Sequence, residues 1–197
     1  MNYFYINNLK PLDSAILALK HYLVYLYEND ADVKKSIRNI GKFKEDLKNM
    51  KEKLELNKQI RSIAYARQMK EFGLIADMLN IEFDKIKDNF DKFPVFACLN
   101  NSKNEEVYVL VYDITNDGIL TKDNNNNNVL IKTTDFMKAY KNRIFFISDY
   151  KELKKKYYFL GKDFNAYMGK DTLIGIDSND FSLRDFIEFL DFITDLL

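Results

Sequence analysis

FPVFACL (Phe93–Leu99), EVYVLVYDI (Glu106–Ile114) and GILTKD (Gly118–Asp123) follow one another in the middle of the chain. β-branched and aromatic residues fill the first two runs, and turn residues bound them, which is the pattern of sheet strands rather than helices. Pro94 opens the first run, a position where the missing amide proton costs no ladder bond. Asn116, Asp117 and Gly118 join the second run to the third. Those residues tolerate the positive φ of a two-residue turn, so a tight hairpin is expected there. No histidine occurs in the whole stretch, and the chain's single histidine is His21.

Working outward, Asn124–Asn128 is an asparagine run before a further strand, NVLIKT, and reads as a hairpin loop that favours positive φ. Thr133 and Thr134 are expected to cap a helix over DFMKAYKNR, which leads into the strand IFFIS. On the amino-terminal side, QIRSIAYARQMKEFGLIADMLNIEFDKIKDNF reads as a helix stopped at Gly73, a strand and a short helix. Val33, Ile37, Ile40, Phe43, Leu47, Met50 and Leu54 recur at steps of three and four, an amphipathic helix with lysines on its other face, which Gly41 is expected to divide. ILALKHYLVYLY, after Asp13-Ser14-Ala15, is apolar nearly all round and predicts a buried helix. The fold class is α+β, with amino-terminal helices packed on an antiparallel sheet.

This succession resembles the bacteriocin-processing, double-glycine cysteine peptidase domains, the papain-like modules found at the amino terminus of ABC exporters. The resemblance runs over about residues 5 to 148. In that family a glutamine precedes an Asp-Cys pair that opens a buried helix, and this chain has Asn8 and then Asp13-Ser14. The family's catalytic histidine opens the strand equivalent to VYVLVY, and an orienting aspartate or asparagine ends the next strand. Val107 and Asp123 hold those places, and a slip of one residue would bring Tyr108 to the histidine position instead. The resemblance therefore implies a papain-like fold whose cleft is walled by Asn8, Ser14, Val107, Tyr108 and Asp123.

The chemistry of those letters points away from catalysis. A thiol at a helix N-terminus is held as thiolate by the unpaired amides, whereas a hydroxyl needs a base within hydrogen-bond reach. His21 lies two turns further along the same helix, about 10 Å from Ser14 along the axis. Ser14 reads more simply as a capping hydroxyl and His21 as a packed core residue. By resemblance the expectation is a non-catalytic, peptidase-like module that binds an extended or unfolded polypeptide, serving secretion through an ABC exporter and located in the cytoplasm. A hydrolase using Ser14 is the opposing enzymatic alternative.

Thirty basic and thirty acidic residues cancel, so no net field steers the chain to nucleic acid or membrane. The charge is uneven: residues 34–70 hold twelve Lys or Arg against four Asp or Glu, and 171–197 hold seven acids against Arg184 alone. Either segment, the basic helix over 33–54 or an acidic carboxyl-terminal helix beginning near Ser182, is an alternative interaction surface. Cys98, the only cysteine, lies within an apolar strand and behaves as a small hydrophobe, which suits a reducing compartment. No run approaches the length of a membrane span, and no Gly-rich phosphate loop, CxxC or histidine pair for a metal is present, so no cofactor is expected. Two regions are expected, a peptidase-like domain over 1–150 and a helical extension over 151–197 packed on it.

Overall fold

The computed structural model describes residues 3–30, 33, 40–56, 60–89, 92–153 and 187. Among the described residues four helices lead: α1 (Tyr3–Asn8), α2 (Pro11–Asn29), α3 (Ile40–Glu55) and α4 (Ser62–Phe72). There follow β1 (Ile75–Asn80), α5 (Phe83–Asn89), β2 (Val95–Asn100), β3 (Glu106–Val111), β4 (Asp113–Ile114), β5 (Ile119–Lys122), β6 (Asn128–Ile131), α6 (Thr133–Ala139) and β7 (Tyr140–Asp149). Among the described residues the pairings are antiparallel and form two sheets, one in the order β1-β7-β2-β3 and one in the order β4-β5-β6.

Strands β2 and β3 of the larger sheet are apolar on both faces because both faces are covered there. Phe96, Cys98, Tyr108, Leu110 and Phe145 join Leu19, Leu23, Leu47, Met50, Leu54, Tyr65 and Met69 of the helices in one core. Val95, Ala97, Leu99, Val107, Val109, Val111 and Ile144 face the opposite way and meet Ile6, Phe83, Ile119, Ile131 and Phe136 in a second. Strand alternation thus assigns neighbouring residues to different cores, and a shift of one position would exchange the two sets. Aromatic rings dominate the first: Phe145 stacks on Phe96 with centroids 4.8 Å apart and meets the edges of Tyr65 and Tyr108 at 5.5 and 5.9 Å.

Several local expectations change. EVYVLVYDI is not one strand: it breaks at Tyr112, leaving β3 in the larger sheet and β4 in the smaller, with the Tyr112 amide donating to Leu120 O at 2.9 Å at the corner. The chain crosses between sheets there, as corner strands do. The connection from β4 to β5 is a four-residue loop, Thr115–Gly118, closed by the Thr115 amide on Gly118 O, and only Gly118 in it has positive φ. α2 begins at Pro11, the favoured first-turn site of proline, so Ser14 lies inside the first turn and is not its cap. α6 starts at Thr133 with Lys132 at the N-cap and no side-chain cap bond, so the threonines do not cap it.

Gly73 ends α4 as the sequence indicates, at φ 104°. A Cβ there would come within 2.7 Å of the Leu153 amide nitrogen, so the glycine also admits a close chain approach. The apolar stripe of α3 is spent on the first core, where Leu47, Met50 and Leu54 are buried. Lys48 and Lys53 point outward, towards Glu52 and towards Glu71 of α4. Gly41 falls within α3, near its start, and residues 34–39, where the pattern would divide, lie outside the described residues. So does the carboxyl-terminal helix, apart from Ile187, which is half-buried against the first core.

Candidate functional site

Ser14 and Tyr108 are brought together across the seam between α2 and the larger sheet. The Tyr108 amide donates to Ser14 Oγ at 3.1 Å, and the Ser14 hydroxyl donates in turn to Pro11 O at 2.8 Å. Ser14 is 0 % exposed and Tyr108 1 %, so neither is reached by a ligand in this conformation. Val107, one residue earlier, turns its side chain into the second core on the far side of the sheet. The residue that faces α2 from the start of β3 is therefore Tyr108. Asn8 ends α1 at the surface, beside a loop in which Ser102 Oγ donates to Asn7 O and Asn101 Nδ2 to Leu9 O.

Asp123 begins the asparagine turn and folds its carboxylate back over it. Its oxygens accept from the Asn125 and Asn127 amides, both at 2.9 Å, and from Asn127 Nδ2 at 3.3 Å. Burial raises the carboxyl's pKa, but these donors outweigh it and hold the group below the usual carboxylate range. The Asp123 carbonyl faces α2, where His21 Nε2 lies 3.0 Å away. A carbonyl only accepts, so Nε2 carries a proton, and at neutral pH, where the lowered pKa leaves the ring uncharged, the imidazole is the Nε2–H tautomer. Burial lowers the His21 pKa to about 4, with Lys20 and Lys122 adding to the shift. Sequence reasoning missed this contact because it joins residues 102 positions apart.

A third polar group sits where α4 meets the sheet. Glu106 Oε1 accepts from the Ser62 amide at 2.7 Å and the Tyr108 hydroxyl at 2.8 Å, while Oε2 takes Lys141 Nζ at 2.8 Å. Arg143 Nη1 reaches Ser62 Oγ at 2.8 Å. Burial pulls the Glu106 pKa up, and the Lys141, Tyr108 and Ser62 donors more than offset it, so the net shift is downward. The carboxylate thereby supplies the cap that Arg61, at the N-cap of α4, does not. Cys98 is buried nearby, and burial pushes its thiol well above the ordinary range, so it is not a ready nucleophile.

An open concavity lies towards the other end of α2. A groove of about 300 Å³ is lined by Tyr22, Tyr25, Phe93, Pro94, Phe146 and Tyr150, among others. Lys92 Nζ sits 4.5 Å above the Phe146 ring, and the Tyr150 hydroxyl donates to Asp30 Oδ2 at 2.7 Å. Its walls combine aromatic surface with phenols and one ammonium. None of the five residues singled out from the sequence belongs to them. Among the described residues no cluster of three or more His, Cys, Asp or Glu could hold a metal, and no helix is long and apolar enough to cross a membrane.

Residues 42–152 match the model of the Peptidase C39 family. The chain belongs to that family. The matched span runs from α3 to the end of the larger sheet, so it takes in Val107, Tyr108 and Asp123 and leaves out Asn8 and Ser14. Family membership corrects the expectation that the chain is not an enzyme. That expectation rested on single letters at the nucleophile and base positions, and the pattern of the domain as a whole is that of a peptidase family. The helices on an antiparallel sheet are accordingly the papain-like α+β fold of C39 peptidases.

Among solved structures, the peptidase domain of Streptococcus ComA, a bifunctional ABC transporter of a quorum-sensing pathway, is similar at 16 % identity. The match covers 51 % of this chain and 76 % of that one, with a TM-score of 0.45. The Streptococcus mutans ComA peptidase domain matches at 14 % identity over 51 % and 87 %, TM-score 0.42. A double-glycine-motif protease from an AMS/PCAT transporter, in complex with its leader peptide, matches at 15 % identity over 72 % and 87 %, TM-score 0.44. Comparison with curated protein sequences finds no match.

Proposed function

We propose that this C39 family member binds an extended polypeptide, and that the groove beside the second half of α2 receives the polypeptide's apolar side chains. The observation that supports the reading is the groove itself, an open aromatic concavity between α2, the segment Lys92–Pro94 that leads into β2, and the end of β7 with Tyr150. Tyrosine and phenylalanine supply large apolar area at little entropic cost, and the tyrosine hydroxyls and Lys92 add donors for backbone carbonyls or acidic side chains. A leader-type peptide for export is the first ligand to try.

Isothermal titration of such a peptide into the full chain is expected to give a saturable, salt-sensitive isotherm. Tyr25→Ala together with Lys92→Glu is expected to weaken it at least ten-fold, a loss of about 1.4 kcal/mol or more. Mass spectrometry of the same samples reads any cleavage directly. An isotherm unchanged by the double substitution, in a protein with native circular dichroism, removes the groove from the reading.

A further inference from the structure

The turn Asp123–Asn128 is tied to α2 by side chains from two consecutive helix residues. His21 Nε2–H donates to Asp123 O at 3.0 Å, and Lys20 Nζ lies 3.4 Å from Asn124 O. Both anchors are buried, His21 at 2 % and Lys20 at 5 % exposure. The Asp123 carbonyl is doubly occupied, since the Asn126 amide also donates to it at 3.0 Å. The groups facing the imidazole are Lys20 on its own helix, Lys122 and Asp123 from β5 and the turn, and Tyr112, whose hydroxyl donates to His21 O at 3.1 Å.

We propose that His21 is an acid-sensitive latch: its neutral imidazole holds the Asp123–Asn128 turn on α2, and proton uptake by the imidazole favours a state in which the turn has let go. A second ring proton would place a charge in a buried site that already faces two lysines; the bond to the Asp123 carbonyl and the turn-bound Asp123 carboxylate favour that charge, but burial, the largest effect, and the lysines outweigh them. Releasing the turn brings the ring into water, where the charge is no longer penalised. The depressed pKa of His21 agrees with this geometry. Because His21 is the only histidine, no other imidazole contributes in this range. The Asp123 carboxyl, held low by its own turn, stays ionised between pH 7 and pH 5.

The sign follows from linkage. The open state binds its proton near the ordinary histidine pKa and the closed state only near 4, so opening is favoured as pH falls through the interval between them. From pH 7 to pH 5 the opening constant should rise about twenty-fold.

Amide hydrogen exchange on the full chain, corrected for intrinsic rates, tests this. The wild-type amides of Asp123, Asn126 and Asn127 are expected to lose about twenty-fold protection from pH 7 to pH 5, while those of Phe96 and Val109 hold theirs. His21→Gln, which can still donate but cannot titrate, is expected to show no such change. No loss in the wild type, an equal loss in His21→Gln, or an equal loss at Phe96 and Val109 overturns the latch. Should His21→Gln fail to fold, the ring nitrogens of His21 in the wild type decide: a neutral Nε2–H imidazole at pH 5.5 in the closed state supports the latch, and a charged ring there overturns it.

Discussion

Phe145→Ala is expected to cost about 4 kcal/mol, the range for emptying a buried phenylalanine site. Phe145 is fully buried at the centre of the sheet face that meets the helices, stacked on Phe96 and edged by Tyr65 and Tyr108. Two of those rings are pinned by hydroxyls, Tyr65 to Ala15 O and Tyr108 to Ile60 O and Glu106, so they are poorly placed to move into the void. Loss of the favourable ring geometry adds to the loss of buried area. Thermal unfolding followed by circular dichroism should show a midpoint lowered by roughly 10 °C. Phe146→Ala, one residue along, is the internal comparison. Its side chain faces the other way, against the second core and under Lys92, and a smaller loss is expected there because the ring lies at the groove margin.

Glu106→Gln is expected to cost about 1 to 2 kcal/mol, because it removes the charge to which the Ser62 amide, the Tyr108 hydroxyl and the exposed Lys141 ammonium all donate. The Glu106 side chain is 9 % exposed, and its two oxygens join α4 (through the Ser62 amide), β3 (through Tyr108) and β7 (through Lys141). Glutamine keeps the shape and can still accept from two of the three donors, so the loss reads the charge. A carboxyl held below its unfolded pKa stabilises the fold above that pKa, and the stabilisation disappears as pH falls through the folded value. Urea titrations at pH 6 and pH 3 should therefore show the wild type and Glu106→Gln well separated at pH 6 and converging at pH 3. A constant gap across that range would mean that packing, not charge, sets the cost.

The strands were legible because their apolar and β-branched runs are unbroken and bounded by turn residues; β2, β3, β5 and β6 lie where those runs fall. The break at Tyr112 was not, since a strand passing from one sheet to another carries no change of composition. The amphipathic stripe of α3 predicted its buried face through Leu47, Met50 and Leu54, as helical spacing does when one face meets a core. Gly73 was legible as a stop because few residues accept its φ.

Site residues were harder to read, for reasons of register and distance. Val107 and Tyr108 differ by one position, and sheet alternation sends one to each core; the run VYVLV is apolar on both faces and gives no sign of which. Ser14 resembles a cap until Pro11 is recognised as the first helical residue. The His21 contact to Asp123, the Glu106 contact to Ser62 and the groove walls from Tyr22 to Tyr150 all join residues far apart in sequence. Periodicity is a local signal and cannot report them.

The most direct measurement is amide shift mapping of the isotope-labelled chain during titration with an extended, leader-type peptide. Perturbations are expected to gather at Tyr22, Tyr25, Phe93, Phe146, Ile147 and Tyr150, with Val107 and Val109, sealed in the second core, unmoved. Shifts confined to Asn8, Ser14 and Tyr108, or no saturable shifts at all at millimolar peptide, would contradict binding in the groove.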